Sequence, residues 1–496
     1  MKRFLSVFLV LMMTMTLISV SAAAEEEPAL ILVESLYFDA IPRDLKAVED
    51  AINAITIPKI NVKVELYPLG ISEASSQVSL MISSGSQLDL VVSLGRTEFQ
   101  SLVNTNMLLD LTDLLNEYGQ GIVANAANAI NGGAFGDALY GIPSVEKYGN
   151  SYGVMIAKEV VDAVGWTKLD SLTPAELGEF LAKAHELYPD KTLIHISGGA
   201  GNIGIFDYMY NVDNLCASLG CGGIMGIGEG EGDKIVNVFA TDEYREFCKL
   251  MHEWYEAGYI NMDALTCAES DQSFIQSGQA LGFFQQTELD MVPSQSGATG
   301  VELVALTTRP HTLITQNIAS GLWSIPYTCK NPEAAMKFMN LMWENEDIVN
   351  LIYYGIEGLD YRKLDDGTGR IGFLEGESPQ TCGYHQWFGI YGNTPLRMVW
   401  DTLPADFKDQ LAAFNAEVSE SNTSRYLGYC FNSEPVKTQF TAVQNVITTY
   451  RNSLECGAVD PDVMLPEFLQ ALEAAGINDI IAANQKDLDA WIAENK

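Results

Sequence analysis

The sequence predicts an α/β protein assembled from βαβ units with a parallel sheet, and three observations predict it. From Pro28 onward, short apolar runs alternate with segments of helical periodicity. The connections between them are short, which makes the βαβ unit the economical arrangement. The length of 496 residues exceeds what one hydrophobic core sustains and suggests two or three domains.

The elements follow in order. Ala29 to Glu34 (ALILVE) reads as a strand, and Arg43 to Ile55 as a helix with Leu45, Val48, Ile52 and Ile55 on one face. Ile60 to Tyr67 alternates apolar and polar residues and is a second strand. Val78, Met81 and Ile82 mark the next helix, and Leu88 to Ser93 a buried third strand. Leu102 to Gly119 is a helix, a break and a short helix. Ala138 to Pro143 and Ser151 to Ala157 read as further extended segments. Thr173-Pro174-Ala175-Glu176 is a capping box with Pro at the first helical position, opening a helix that carries Leu177, Phe180, Leu181 and Ala184. Thr241 opens another, with Tyr244, Phe247, Met251 and Trp254 along its stripe. Ala280 to Gln285 is a strand, Asn331-Pro332 starts a helix through Phe338 and Met342, and helical patterns recur around Leu465 to Leu472 and Leu488 to Ile492.

The ends and the composition bound the function. Met1-Lys2-Arg3, an apolar run from Phe4 to Val20 and Ser21-Ala22-Ala23-Ala24 before three glutamates are the parts of a secretory signal peptide, expected over residues 1–24. The alternative is an uncleaved anchor, although the run is short for a membrane span. No cysteine directly follows that region, the first being Cys216, so a lipid-attachment site is not expected. The formal net charge of −37 repels phosphates and anionic lipid heads, which argues against nucleic-acid and membrane-surface partners. Eight cysteines in so long a chain are not a disulfide scaffold; Cys216 and Cys221 are spaced either to bridge their loop or to stay as buried thiols.

Motifs for common chemistries are incomplete. Gly199 to Gly204 fits G-x-G-x-x-G after the strand-like Thr192 to Ser197, but the next segment breaks early into a glycine-rich run, so a tight, mobile loop is expected rather than a dinucleotide site. His185-Glu186 and His252-Glu253 lack the second histidine of a zinc helix, and there is no G-x-S-x-G. Asp365-Asp366-Gly367-Thr368-Gly369 lacks the spaced oxygens of a calcium loop and reads as a hairpin turn between Tyr361 and Phe373. Neither a metal nor another cofactor is expected.

Four segments in order carry a resemblance: LMISSGSQLDLVVS (Leu80 to Ser93), the YGIP-bearing stretch from Gly136 to Gly165, Met251 to Gln285 with its F-x-x-G-x-A-L turn, and Gly321 to Gly358 with the run YGIEG. Together they resemble the family 1 extracellular solute-binding proteins of ABC transporters, the group that includes maltose-binding protein, in the subgroup with a distinct C-terminal region. The resemblance implies a two-lobed, type II periplasmic-binding-protein-like fold, with three crossovers and a ligand cleft between the lobes. By that analogy lobe 1 is 25–143 plus 284–326, and lobe 2 is 144–283 plus 327–496. It implies a monomeric receptor outside the cytoplasm that captures a sugar or oligosaccharide and delivers it to permease subunits, without catalysis.

Sugars present apolar C–H faces and rings of hydroxyls, so their sites need aromatic platforms and planar polar side chains. The candidates expected at the cleft are Tyr37, Tyr140, Tyr148, Tyr152, Tyr208, Tyr210, Trp323, Tyr354 and Trp387, with Glu34, Ser93, Glu146, Gln285, Gln286 and Glu288 as polar contacts. A secreted carbohydrate-active enzyme is the rival class, since so many acidic residues leave room for a carboxylate pair. A receptor for a peptide or another polar solute is the third.

Cleavage is the reading to test at the N-terminus. Sequencing of the native protein is expected to start at Ala23 or Glu25, and an intact Met1 on membrane-bound material would refute it.

Overall fold

The computed structural model describes residues 27–37, 40–135, 138–198, 204–215, 219–226, 233–319, 321–378, 381–386 and 389–495. The expected signal peptide at 1–24, most of the glycine-rich motif at 199–204, Cys216 and Trp387 lie outside them. Among the described residues Cys248, Cys267, Cys329 and Cys456 are free thiols.

The expected first βαβ unit is present. Strand Ala29–Tyr37 pairs in parallel with Val62–Gly70 from Ala29↔Val62 to Tyr37↔Gly70. Helix Leu45–Ile60 makes the crossover, burying Val48 and Ile52 on its inner face. The buried strand Val91–Ser93 pairs antiparallel with Leu322–Ser324, which also pairs with Ile142–Pro143. In the second half the pairing is mixed: His195 bridges Phe283 and Ile194 bridges Ile260 in parallel, while Asn150–Ala157 lies between Gly282–Gln286 and Leu303–Thr312, antiparallel to both. Its neighbours come from chain segments more than a hundred residues away, so short-connection reasoning did not reach them.

Helix ends follow local chemistry. Thr173 and Glu176 form the reciprocal capping box ahead of helix Pro174–Leu187. Thr241 accepts the Tyr244 N–H at the start of Asp242–Glu256, whose stripe Tyr244, Phe247, Met251 and Trp254 is buried. Asn331 caps Pro332–Glu344. The acidic stretch at 365–369 is the expected hairpin, joining Arg362–Lys363 to Ile371–Gly372.

Two cores define two lobes. One gathers Ile31, Val64, Val91, Phe99, Ile142, Trp323, Met336, Phe338, Tyr353 and Tyr391. The other gathers Val154, Phe180, Phe206, Phe239, Phe247, Tyr426, Phe468, Leu472 and Leu488. The chain passes between them three times: between Pro143 and Asn150, between Thr312 and Leu322, and between Tyr391 and Tyr426. The crossovers run side by side, with Ser144 N–H donating to the Gly321 carbonyl at 3.1 Å and Leu313 N–H to the Asn422 carbonyl at 2.8 Å.

The expected partition needs correction. Residues 284–312 belong with lobe 2, because they complete the sheet around Asn150–Ala157. Residues 332–354 belong with lobe 1, where the Asn340 side chain accepts the Gly121 and Ile122 N–H groups at 2.7 and 3.1 Å. Only the chain from about Tyr426 onward returns to lobe 2 as helices Lys437–Glu455, Pro461–Ala475 and Ile477–Asn495.

Glu34 sits in the lobe 1 sheet rather than at a ligand. It is buried and accepts the Val92 N–H at 2.8 Å. Burial pushes its carboxyl up to about 8, against the opposing pull of that hydrogen bond. The folded protein therefore holds this proton more tightly than the unfolded chain, and stability falls as pH rises from the ordinary carboxylate range through about 8. Glu34→Gln is expected to raise the melting temperature at pH 9 by roughly 2–4 °C and to leave it nearly unchanged at pH 5. Thermal denaturation across pH checks this, and a destabilised variant at pH 9 would contradict it.

Candidate functional site

The first crossover carries Ser144, Glu146 and Lys147 between the lobes, and two cavities meet at it. A polar chamber of about 560 Å³ is bounded by this segment, by Asn150 and Tyr152 of the lobe 2 sheet, by Asp207 and Tyr208, by Gln286, Glu288 and Arg309, and by Asn317. A more apolar chamber of about 610 Å³ lies between helix Met291–Thr299 of lobe 2 and Tyr354, Phe373, Arg397 and Trp400 of lobe 1. Both chambers are lined by Glu146 and Gly389. A Cβ on Gly389 would come within 2.9 Å of Glu146 Oε2, so the missing side chain leaves room for that carboxylate. A larger depression of about 1110 Å³, edged by Pro58 and Glu344, lies on lobe 1 alone.

The polar chamber has an aromatic wall. Tyr152 meets Tyr208 edge to face at 5.1 Å, Phe284 lies 6.1 Å from Tyr208, and the Arg309 guanidinium covers the Tyr152 ring at 4.9 Å. Burial pushes the Tyr208 hydroxyl up to about 12, which keeps it a hydrogen-bond donor. Asn317 donates to Asn150 Oδ1 at 2.9 Å, and Asn150 donates to the Tyr152 hydroxyl at 3.2 Å.

The charges are matched in place. Lys147 Nζ lies 2.6 Å from Asp290 Oδ1 and 3.6 Å from Glu288 Oε1. Burial works against its ammonium, but Asp290 and Glu288 outweigh that and hold it above the usual lysine value. Glu288 is itself raised, chiefly by burial, with Lys147 opposing. Glu146 pairs with Arg397, whose guanidinium covers the Tyr353 ring at 4.9 Å. In the second chamber Phe373 stacks on Trp400 at 4.4 Å, and Tyr354 meets Trp400 edge to face at 5.3 Å. Burial lowers His385 to about 4, so it is neutral at pH 7. Among the described residues no group of His, Cys, Asp and Glu is arranged to hold a metal ion. Flat rings, fixed donors and paired carboxylates suit a ligand with apolar faces and many hydroxyls.

Of the residues expected here, Glu146, Tyr152, Tyr208, Gln286 and Glu288 line the polar chamber, and Glu146 and Tyr354 the apolar one. Tyr354 is nonetheless mostly buried, its hydroxyl donating to the Met398 carbonyl at 2.7 Å. The others are elsewhere. Trp323 is a fully buried core residue of lobe 1, donating to the Ile390 carbonyl at 2.6 Å. Glu34 and Ser93 are buried in the same lobe, and Tyr37 and Tyr140 are half-buried on it. Tyr148 lines a separate cavity with Leu313 and Asn415. Tyr210 stacks on Phe206 at 4.7 Å, and Gln285 does not line either chamber. Sequence reasoning missed Lys147, Asp207, Arg309, Asn317, Phe373, Arg397 and Trp400. Lys147 and Asp207 each adjoin a residue that was chosen, and the basic residues were passed over because hydroxyl recognition directs attention to acids and amides.

Residues 425–493 match a family model described as a domain of unknown function, DUF3502. A protein named carbohydrate ABC transporter substrate-binding protein, from Streptococcus pneumoniae serotype 4 (strain ATCC BAA-334 / TIGR4), is 25% identical over 457 residues, covering 90% of this chain and 87% of that protein. The polygalacturonan/rhamnogalacturonan-binding protein YtcQ of Bacillus subtilis (strain 168) is 23% identical over 67% of this chain and 66% of its own. Among solved structures, the N-glycan transport solute binding protein NgtS of Streptococcus pneumoniae superposes with a TM-score of 0.80 at 21% identity, covering 94% of this chain and 100% of that one. NgtS in complex with Man1GlcNAc gives 0.70 at 21% identity, covering 93% of this chain and 99% of that one. The resemblance to extracellular solute-binding proteins and the two-lobed fold it implies are borne out.

Proposed function

We propose that this chain is an extracytoplasmic binding protein that captures an oligosaccharide between its lobes and delivers it to the permease of an ABC importer. The cleft carries the reading. Two lobes joined by three crossovers enclose adjoining chambers, one with the tyrosine pair and fixed polar groups, the other with Phe373 stacked on Trp400. Each half-site alone is too open to desolvate a polar solute, and hinge closure brings them together. The curated relative's name and the fold shared with a glycan-binding protein support it.

The pairing of Glu146 and Glu288 with cations supports binding without turnover. Glycoside hydrolysis needs a protonated acid opposite a free carboxylate, whereas Glu146 and Glu288 each face a cation. Release to a permease also requires that the sugar leave intact. The formal charge of −37 makes an anionic pectin fragment a poorer ligand than a neutral glycan at low salt.

Calorimetric titration with Man1GlcNAc, Man5GlcNAc and a rhamnogalacturonan oligosaccharide tests this. A neutral glycan is expected to bind stoichiometrically and uncleaved, with a smaller radius of gyration by small-angle scattering at saturation. Binding of none of the three, or release of shortened sugars, would overturn the reading.

A further inference from the structure

The wall of the polar chamber at Phe206-Asp207-Tyr208 is held from behind by the C-terminal region, whose family model carries no function. Arg451 and Glu455 are one turn apart on helix Lys437–Glu455, with Arg451 Nε 2.6 Å from Glu455 Oε1. Glu455 is completely buried; Oε1 also accepts from the Tyr244 hydroxyl at 3.3 Å, and Oε2 accepts the Phe206 N–H at 3.4 Å. Arg451 Nη2 reaches on to Asp207 Oδ2 at 3.5 Å, and Arg309 Nη1 donates to the Asp207 carbonyl at 3.0 Å. Of the three charged side chains, only Asp207 is substantially open to the cavity, at 35% exposure against 11% for Arg451 and none for Glu455.

This arrangement is more than a stability device. A buried ion pair barely repays its desolvation, and replacing one by apolar groups is often neutral or stabilising. Here the pair is extended to a third carboxylate that a ligand can touch, and the neighbouring backbone amide is fixed by the same group. Asp207 alone in the chamber would rotate among its staggered conformers. Arg451 selects one of them and takes up part of the negative charge.

Resting on the binding reading above, we infer that Arg451 and Glu455 are positioning residues for the sugar site: they aim the Asp207 carboxylate at ligand hydroxyls and fix the segment that carries Tyr208. The C-terminal region thereby completes the cleft from outside it. A planar carboxylate held at one angle accepts two hydrogen bonds from adjacent hydroxyls, so its orientation discriminates between sugars.

A thermodynamic cycle tests the inference, using whichever of Man1GlcNAc, Man5GlcNAc and the rhamnogalacturonan oligosaccharide the wild-type chain binds. Arg451→Met alone would strand a buried carboxylate, so the variant is Arg451→Met with Glu455→Gln, which keeps the acceptor for Phe206 N–H. Asp207→Asn and the pair variant are each expected to raise Kd about tenfold, and combining all three is expected to cost no more than Asp207→Asn alone. Arg451→Lys should recover part of the loss. Lys249→Ala breaks an exposed ion pair to Asp462 in the same region and is expected to leave Kd unchanged. Unchanged binding by the pair variant, or losses that multiply, would overturn the inference while leaving the binding reading intact. Binding of none of the three sugars by wild type would remove the reading on which it rests.

Discussion

Two neighbouring residues on the first crossover reach to opposite lobes, and the geometry of the cleft depends on them. Glu146 pairs with Arg397 on the lobe 1 side, and Lys147 pairs with Asp290 and Glu288 on the lobe 2 side. Partly buried pairs of this kind add little net stability, but breaking one leaves a charge that the interior resists. Their effect is therefore geometric. They fix where the crossover backbone lies, and both chambers are lined by that backbone and its side chains. Gly389 makes the arrangement possible by leaving space for the Glu146 carboxylate.

The same logic extends outward. Each lobe has its own core, so the lobes can shift relative to one another without exposing either. The crossovers are tied to each other by backbone hydrogen bonds, and a small cluster of Ala129, Leu313 and Ile318 packs beneath them with Val145 and Tyr148. The C-terminal region packs into the core of lobe 2 and also touches lobe 1, where Gln100 donates to the Phe431 carbonyl at 2.6 Å. Its helices thus brace the wall of one half-site and sit close to the joint between the two.

Local signals in the sequence carried far. The capping box at Thr173, the Thr241 cap with its aromatic stripe and the hairpin at 365–369 are set by residues close in sequence, and the parallel pairing of the first two strands spans only the crossover helix between them. The assignment of segments to lobes was not local. Whether Pro332–Glu344 packs on lobe 1 or lobe 2 depends on a partner such as Gly121, some two hundred residues away, and both cores are apolar enough to accept an amphipathic helix. The site was legible by class more than by residue. Aromatic and planar polar side chains expected at the cleft included Tyr152, Tyr208, Glu146 and Glu288, but Trp323 carries the same signal and fills the core instead. Arg309 and Arg397 became visible only through the rings they cover and the carbonyl or carboxylate they meet.

The central claim is that the ligand lies where the two chambers join. A crystal structure with Man5GlcNAc bound tests it most directly. The account predicts sugar density between the lobes, with one ring against Tyr152 and Tyr208 and hydroxyls within hydrogen-bond reach of Asp207 or Glu288. Density confined to the lobe 1 depression beside Pro58 and Glu344, with the interlobe cleft empty, would contradict it.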